Sequence, residues 1–496
     1  MIVAIDNNCL KSIITVDKPL DFQHYAGVQT FGEKVFDMRA EVGLITRNVV
    51  IQGDDQSEKD LYGCHIMTFS PNGDDSSISR ISYTEVRRAG QAFNLGRYPI
   101  HYHLIGNVHQ SFVYGNSIHH TYNRAVTIHG IHFLRVQKNV VYWTMGYSIF
   151  IEDGIETNNL IEDNLVINTK SSEALLNTDQ TPACFWITNP NNIWRRNHCA
   201  GSDRYGFWFD LKEHPDGPSA TETICPRGEK LGEFIDNEAH SVERYGLRIF
   251  HELIPRQYPC KDYSNLAKDD HFEDNPPVPA VFKNFLGWKN RRCAVIGENL
   301  GAIKFENILA ADNLRAGIEI SDGNRSPPGS LVIDGAWIVA TSQNAGDPAQ
   351  YDIVRGLITP KVDFFWAKNI HFYGFNGAKT AIEACSHCES LAATDSGART
   401  NYFEKLEFVD TTRRVRFNIP KSHILIDTDG TLTGKPGGGT VTYYFKHLEG
   451  TQCVPNEPVF DGLVCDSTVT LRRLVIYEAK GNGLSGSDLK VLRIDQ

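Results

Sequence analysis

Nowhere in these 496 residues do eighteen apolar residues run together, so no membrane span is expected within the chain. The opening MIVAIDNNCLKSIITV has no basic stretch leading into a long apolar run, and a targeting signal or anchor is expected to belong to a longer protein. A regular leucine pattern is absent and the repeats are far shorter than 40 residues, which sets aside leucine-rich repeats and propeller blades. Cys385-Ser-His-Cys388 has no second Cys-x-x-Cys to match it, so a four-thiolate zinc site is not supported and a local disulfide is expected. Above all, no acidic residue lies between Glu85 and Glu152, where the chain's 60 Asp and Glu would place about eight.

What is present suits a folded protein. Hydrophobic residues make up 41% and charged residues 22%, while Gly, Asn, Thr, Tyr and β-branched residues favour strands and turns. With a net charge of −11, no nucleic acid is expected as a partner. Eleven cysteines point to an oxidising, extracellular or cell-surface setting; the alternative is reduced, buried thiols. Asn324-Arg325-Ser326 is a glycosylation sequon, weakened by the Pro327 that follows.

Short patterns recur at about 23 residues: Asn116-Ser-Ile and Asn139-Val-Val, Asn284-Phe-Leu and Asn307-Ile-Leu, AVTIHG at 125–130 and SIFIED at 148–153. CFWIT at 184–188 and GFWFD at 206–210 follow nearly the same spacing, and Tyr205-Gly206 returns as Tyr245-Gly246 after a longer insertion. A unit this short cannot close a core alone and must stack on its neighbours. The expected fold is all-β, a right-handed parallel β-helix. Asn recurring at one corner tolerates the left-handed conformation and can bond to the equivalent Asn one coil away. Three segments are expected: 1–55 as the end of a β-sandwich, 56–385 as the helix with insertions at 211–232 and 251–280, and 386–496 as a β-rich C-terminal region.

The acid-free stretch contains Arg87, Arg88, Arg97, Arg124, Arg135 and Lys138, with seven histidines: His101, His103, His109, His119, His120, His129 and His132. Such a basic island suits a polyanion. With Val126 and Ile128 inward, Thr127 and His129 face outward, and a 23-residue coil sets Glu152 beside His129. Aligning Ile100-His101 with Ile128-His129 puts His101 in the same column, with Trp208 and Asp210 further along. The expected site is a shallow outer groove of imidazoles, guanidiniums and aromatic faces, ending in Glu152, Asp153 and Glu156. Ordinary strand histidines and a turn-capping Glu152-Asp153 are the plain alternatives. His-x-His with His129 could hold a zinc-like ion. Asp427-Thr-Asp-Gly-Thr lacks the later Glu of an EF-hand and reads as a turn, with calcium as the alternative. The pairs Arg195-Arg196, Arg291-Arg292 and Arg472-Arg473 read as surface charge.

At GRYPIHYHLIGNV, SIHHTYNRAVTIHGIHFLRVQKNVVY and FIEDGIETNN the chain resembles the β-helix shared by fibrocystin-like receptors and the cell-surface hyaluronan-binding and hyaluronan-degrading proteins. The likeness continues through GCHIM, WITNPNN, GFWFDLKEHPDGPS, LGEFIDNEAHS and AGIE, and reaches CSHC, DSGAR and DTDGTLTG. The HPDGPS insertion is closer to the fibrocystin-L branch. The resemblance implies that residues 1–55 end a G8 domain. It also implies one of three functions: a cell-surface ectodomain binding a glycosaminoglycan such as hyaluronan or a protein partner, a depolymerase of such a glycan, or a rigid spacer. For a depolymerase, Arg97 and Arg124 would neutralise the uronate, with Tyr98 and Trp208 as further contacts. His101, His103 or His129 would act as acid or base, and Glu152 or Asp153 would supply a carboxylate.

Overall fold

The computed structural model describes residues 2–7, 12–20, 24–172, 180–261, 274–323, 327–347, 350, 354–384, 399–417 and 423–471. The sequon at 324–326, Cys385-Ser-His-Cys388 and Arg472-Arg473 lie outside them, as does all but Arg399 of DSGAR. Almost every element is a short strand. Twelve strands, from Ile66–Phe69 to Val415–Phe417, form one sheet along one wall of a parallel β-helix. The remaining strand columns join in a sheet of 23 strands.

Period-two alternation builds the core. Val126 and Ile128 pair with Ile149 and Ile151, and all four are fully buried. The next coils add Phe185 and Phe207, stacked with ring centroids 4.4 Å apart. The apolar cluster runs without a break from Val86 to Val464, each large side chain adding about 1.5–3 kcal/mol.

The expected asparagine corner is present as a chain of side-chain bonds. Asn116, Asn139, Asn164 and Asn197 each pass a hydrogen bond to the next asparagine, ending at Asn237, with Nδ2···Oδ1 distances of 2.9–3.0 Å. Each Oδ1 also accepts the backbone N–H of the preceding ladder member, so one side chain closes two buried polar groups. Along this ladder the left-handed residue is the one before each Asn: Gly115, Lys138, Asp163, Arg196 and Asp236. Asn284 and Asn307 are themselves left-handed, a second corner.

The parallel register extends past both expected boundaries. Val49–Gln52, placed in the N-terminal segment by its sequence, pairs in parallel with Thr84–Arg87. Past residue 385, Thr400–Val409 pairs with Ile424–Asp427 before the chain turns antiparallel through Gly439–Thr442 and Leu463–Asp466. Disulfides join Cys184 to Cys199, Cys225 to Cys260 and Cys453 to Cys465, while Cys64 and Cys293 are unpaired among the described residues. At the suspected calcium loop, Asp427 accepts N–H bonds from Gly430 and Thr433, and Asp429 from Thr431 and Lys405; the carboxylates close a turn. Arg195, Arg196 and Arg291 are surface cations in ion pairs with Glu233, with Glu162 and Asp163, and with Glu243.

The hairpin Val28–Phe31 with Lys34–Asp37 packs Phe36 and Met38 against Trp288 and Trp337 on the outside of the coils. Beside it, Glu41 accepts hydrogen bonds from His240 at 2.9 Å and His198 at 3.2 Å. Burial pushes Glu41 up, but those two bonds outweigh it and hold the carboxyl well below the usual range. Burial lowers His198, and the bond to Glu41 with the charges of Glu238, Glu41 and Asp37 raises it overall. Glu238 is raised by burial, opposed by both imidazoles and the Trp288 N–H.

Two measurements test this organisation. Asn164→Ala strands the Asn139 N–H and the Val136 carbonyl inside the wall, and is expected to cost about 2–5 kcal/mol by chemical denaturation. For the hairpin, the signs oppose each other. Glu41 contributes above about pH 4.5 and loses its contribution as pH falls through its lowered folded value; His198 contributes fully below about 6.5 and loses it as pH rises through its raised one. Hydrogen exchange over residues 24–47, corrected for intrinsic rates, is expected to be slowest between these values and faster at pH 8. Glu41→Gln should flatten the profile.

Candidate functional site

Strand Ile100–Asn107 pairs with Val126–His132 so that His101 faces Thr127 and His103 faces His129. The alignment of His101 with His129 is therefore corrected by two residues: the coil between these strands is 26 residues long, not 28. A further shift of one residue follows at a bulge just after His103 and His129, where Leu104 and Gly130 both have positive φ. A Cβ at Gly130 would fall 2.5 Å from the Leu104 side chain. Two outward columns result. His101, Thr127, Phe150, Trp186 and Trp208 form one, and His103 and His129 open the other, with Glu152 and Asp210 at later positions along it.

The three imidazoles converge. His103 Nδ1 lies 3.1 Å from His129 Nδ1, and the His101 ring stacks parallel to His129 at 5.8 Å. His129 sits between two carboxylates, with Nε2 2.8 Å from Asp153 Oδ2 and Nδ1 3.4 Å from Glu152 Oε2. His101 Nδ1 donates to the Gly96 carbonyl at 2.9 Å, leaving Nε2 buried and without a hydrogen-bond partner. Tyr98 accepts a bond from Arg124 at 2.7 Å and donates to Glu152 at 3.2 Å. The Arg124 guanidinium lies over Phe150, 4.1 Å from the ring centroid.

Environment sets these groups apart. Burial, reinforced by His103, His129 and Arg124, pushes His101 down to about 3. His129 is also buried, yet its bond to Asp153 and the nearby carboxylates raise it above its ordinary value. Burial raises Glu152 against the pull of Arg124 and His129. Asp153 goes the other way: burial is outweighed by its hydrogen bonds with His129 and Ser219.

The insertion foreseen at 211–232 folds over this wall. Lys212, Asp216, Gly217 and Pro218 face Leu95 across a cleft of about 380 Å³, whose floor carries Arg124, Glu152, Asp153, Thr188 and Asp210 beside Tyr147, Phe150 and Trp186. Expectation and structure part in four places. Arg97 is exposed, beside His65, and does not line the cleft. Tyr98 and Trp208 are 1% and 6% exposed, so neither offers an open ring face. Glu156 is fully buried, not at the groove's end. Nor is the cleft basic, since its lining holds Arg124 and Lys212 against Glu152, Asp153, Asp210 and Asp216. Acids from elsewhere answer the acid-free stretch: Glu85 meets Arg87 and His119, and Asp55 and Glu58 meet Arg88.

Residues 61–247 match the family model described as CEMIP beta-helix. Those residues carry a CEMIP β-helix domain. It is 34% identical to fibrocystin-L of Mus musculus over 96% of its own length, spanning 12% of that relative. It is 32% identical to the cell surface hyaluronidase CEMIP2 of Homo sapiens, over 62% of this chain and 26% of that one. To the cell migration-inducing and hyaluronan-binding protein of Mus musculus it is 30% identical, over 94% and 40%.

Within this CEMIP β-helix the residue that sequence reasoning misplaced is the one that shapes the site. Glu156 accepts the backbone N–H groups of Gly130 at 2.8 Å, Asp153 at 3.1 Å and Gly154 at 2.7 Å. Its carboxylate fixes the turn presenting Glu152 and Asp153 and ties it to the bulge below His129. Burial raises it to about 6 despite those donors. The only sequence signal was its place in FIEDGIETNN, three residues after an acidic pair. Glu156→Ala orphans three buried donors and is expected to lower stability by about 3 kcal/mol or more in denaturant titration. A change within about 0.5 kcal/mol, typical of a surface site, would rule this anchor out.

Proposed function

We propose that this chain is a segment of a cell-surface β-helix protein that binds an acidic glycan of the hyaluronan type in the cleft between residue 95 and the 212–218 insertion. The observation that supports it is the mixture on the cleft floor: acceptor-rich carboxylates beside ring edges, with two cations within reach. Carboxylates call for a donor-rich ligand, and sugar hydroxyls are such donors. Aromatic edges suit the apolar face of a sugar ring, while Arg124 and Lys212 suit one carboxylate per repeat rather than a dense polyanion. Three relatives carry names that speak of hyaluronan binding or cleavage, and fibrocystin-L matches along nearly the whole chain.

A second reading has its own support. One imidazole held between Glu152 and Asp153 is an arrangement able to move a proton at a glycosidic oxygen or sugar carbon, the work of a depolymerase. One experiment weighs both. High-molecular-mass hyaluronan is incubated with the purified chain, and retention and chain length are read together. Retention without shortening is expected, weakened tenfold or more in Arg124→Met and several-fold in Lys212→Ala, and weaker at high salt. Shortening that disappears in Glu152→Gln would favour the depolymerase. Neither retention nor shortening would sink both.

A further inference from the structure

We infer that His101, His103 and His129 form a three-histidine zinc site in the wall beside the cleft, with the fourth position open. The assignment goes beyond the glycan reading and does not depend on it. Each imidazole presents one donor atom, and these atoms lie within 4.8 Å of one another. The separations fit a tetrahedral ion: with Zn–N bonds of about 2.0–2.1 Å, neighbouring ligand atoms stand about 3.3 Å apart. His103 Nδ1 and His129 Nδ1 are 3.1 Å apart.

The hydrogen bonds around the group select the tautomers that ligation needs. His101 directs Nδ1–H at the Gly96 carbonyl, so its bare Nε2 faces the cluster. That nitrogen has no hydrogen-bond partner although His101 is only 2% exposed. A buried lone pair would be costly without something to receive it. His129 gives its Nε2–H to Asp153, the carboxylate–histidine support that metal-binding imidazoles carry, which turns its Nδ1 lone pair towards His103. Three imidazoles are zinc chemistry, whereas calcium requires a shell of oxygens.

Glu41, Glu238 and His240 also gather within ligand range, but their atoms are already engaged: His240 by Glu41 and Ser241, Glu238 by the Trp288 N–H. That group docks the N-terminal hairpin and serves as the control.

The test uses the full chain, stripped with chelator and then titrated with zinc or cobalt(II). One zinc per chain is expected by elemental analysis, with the intense visible bands of tetrahedral cobalt. His101→Ala and His103→Ala should weaken zinc binding by tenfold or more, Asp153→Asn by about 10–100-fold, and Glu41→Gln not at all. Circular dichroism checks that each variant folds; where one does not, the cobalt spectrum of the unaltered chain carries the test. Substoichiometric zinc, weak octahedral cobalt bands, or unchanged affinity in folded His101→Ala would overturn the assignment. Zinc bound by a chain that does not retain hyaluronan would separate the two proposals, leaving this one standing.

Discussion

Every coil of this molecule must satisfy its corner polar groups with the coil beside it, and the asparagine ladder is the means. A short strand cannot bury a core alone, and a turn carrying unpaired N–H and C=O groups cannot be packed against another turn without cost. Asn116, Asn139, Asn164, Asn197 and Asn237 meet both demands, because each amide bridges to a neighbouring one and also closes a neighbour's backbone. The ladder fixes the axial register, and the register decides which outward side chains become neighbours. The three imidazoles meet because their strands are held in register, although they are distant in sequence.

The same constraint explains why a run of basic residues does not make a basic surface. Residues adjacent in sequence travel around the coil, while those adjacent along the wall come from coils more than twenty residues apart. His119 thus meets Glu85 from the previous coil, and Arg124 meets Glu152 from the next. A cation over aromatic rings with a carboxylate nearby stiffens the wall. The cleft draws its chemistry from the lid supplied by the 212–218 insertion, which brings Lys212 and Asp216 to a floor already carrying acids.

Much of the architecture was legible, for a definite reason. Where a coil has no insertion and no bulge, a fixed spacing translates directly into pairing: Val126 with Ile149, and hence His129 with Glu152, followed from 23 residues alone. The reading slipped where the backbone departs from that regularity. The coil from His101 to Thr127 is 26 residues, three longer than the 23-residue repeat, which puts His101 beside Thr127 and not His129, and nothing in the residue types announced the extra residues. Burial was the other gap. Outward in a strand does not mean exposed, as Tyr98 and Trp208 illustrate by being buried among neighbouring side chains. Glu156 looked like part of an acidic rim because composition does not reveal that three amides point at it.

The central claim is the register that faces His103 with His129, and cross-linking measures it most directly. Side chains facing each other on adjacent strands fall within the Cα separation a disulfide accepts, whereas a pair displaced by two residues along the strand does not. The double variant His103→Cys/His129→Cys is expected to form an intramolecular disulfide under mild oxidation, and His101→Cys/His129→Cys to remain reduced. The reverse pattern would contradict the register, and with it the convergence of imidazoles and carboxylates on one wall.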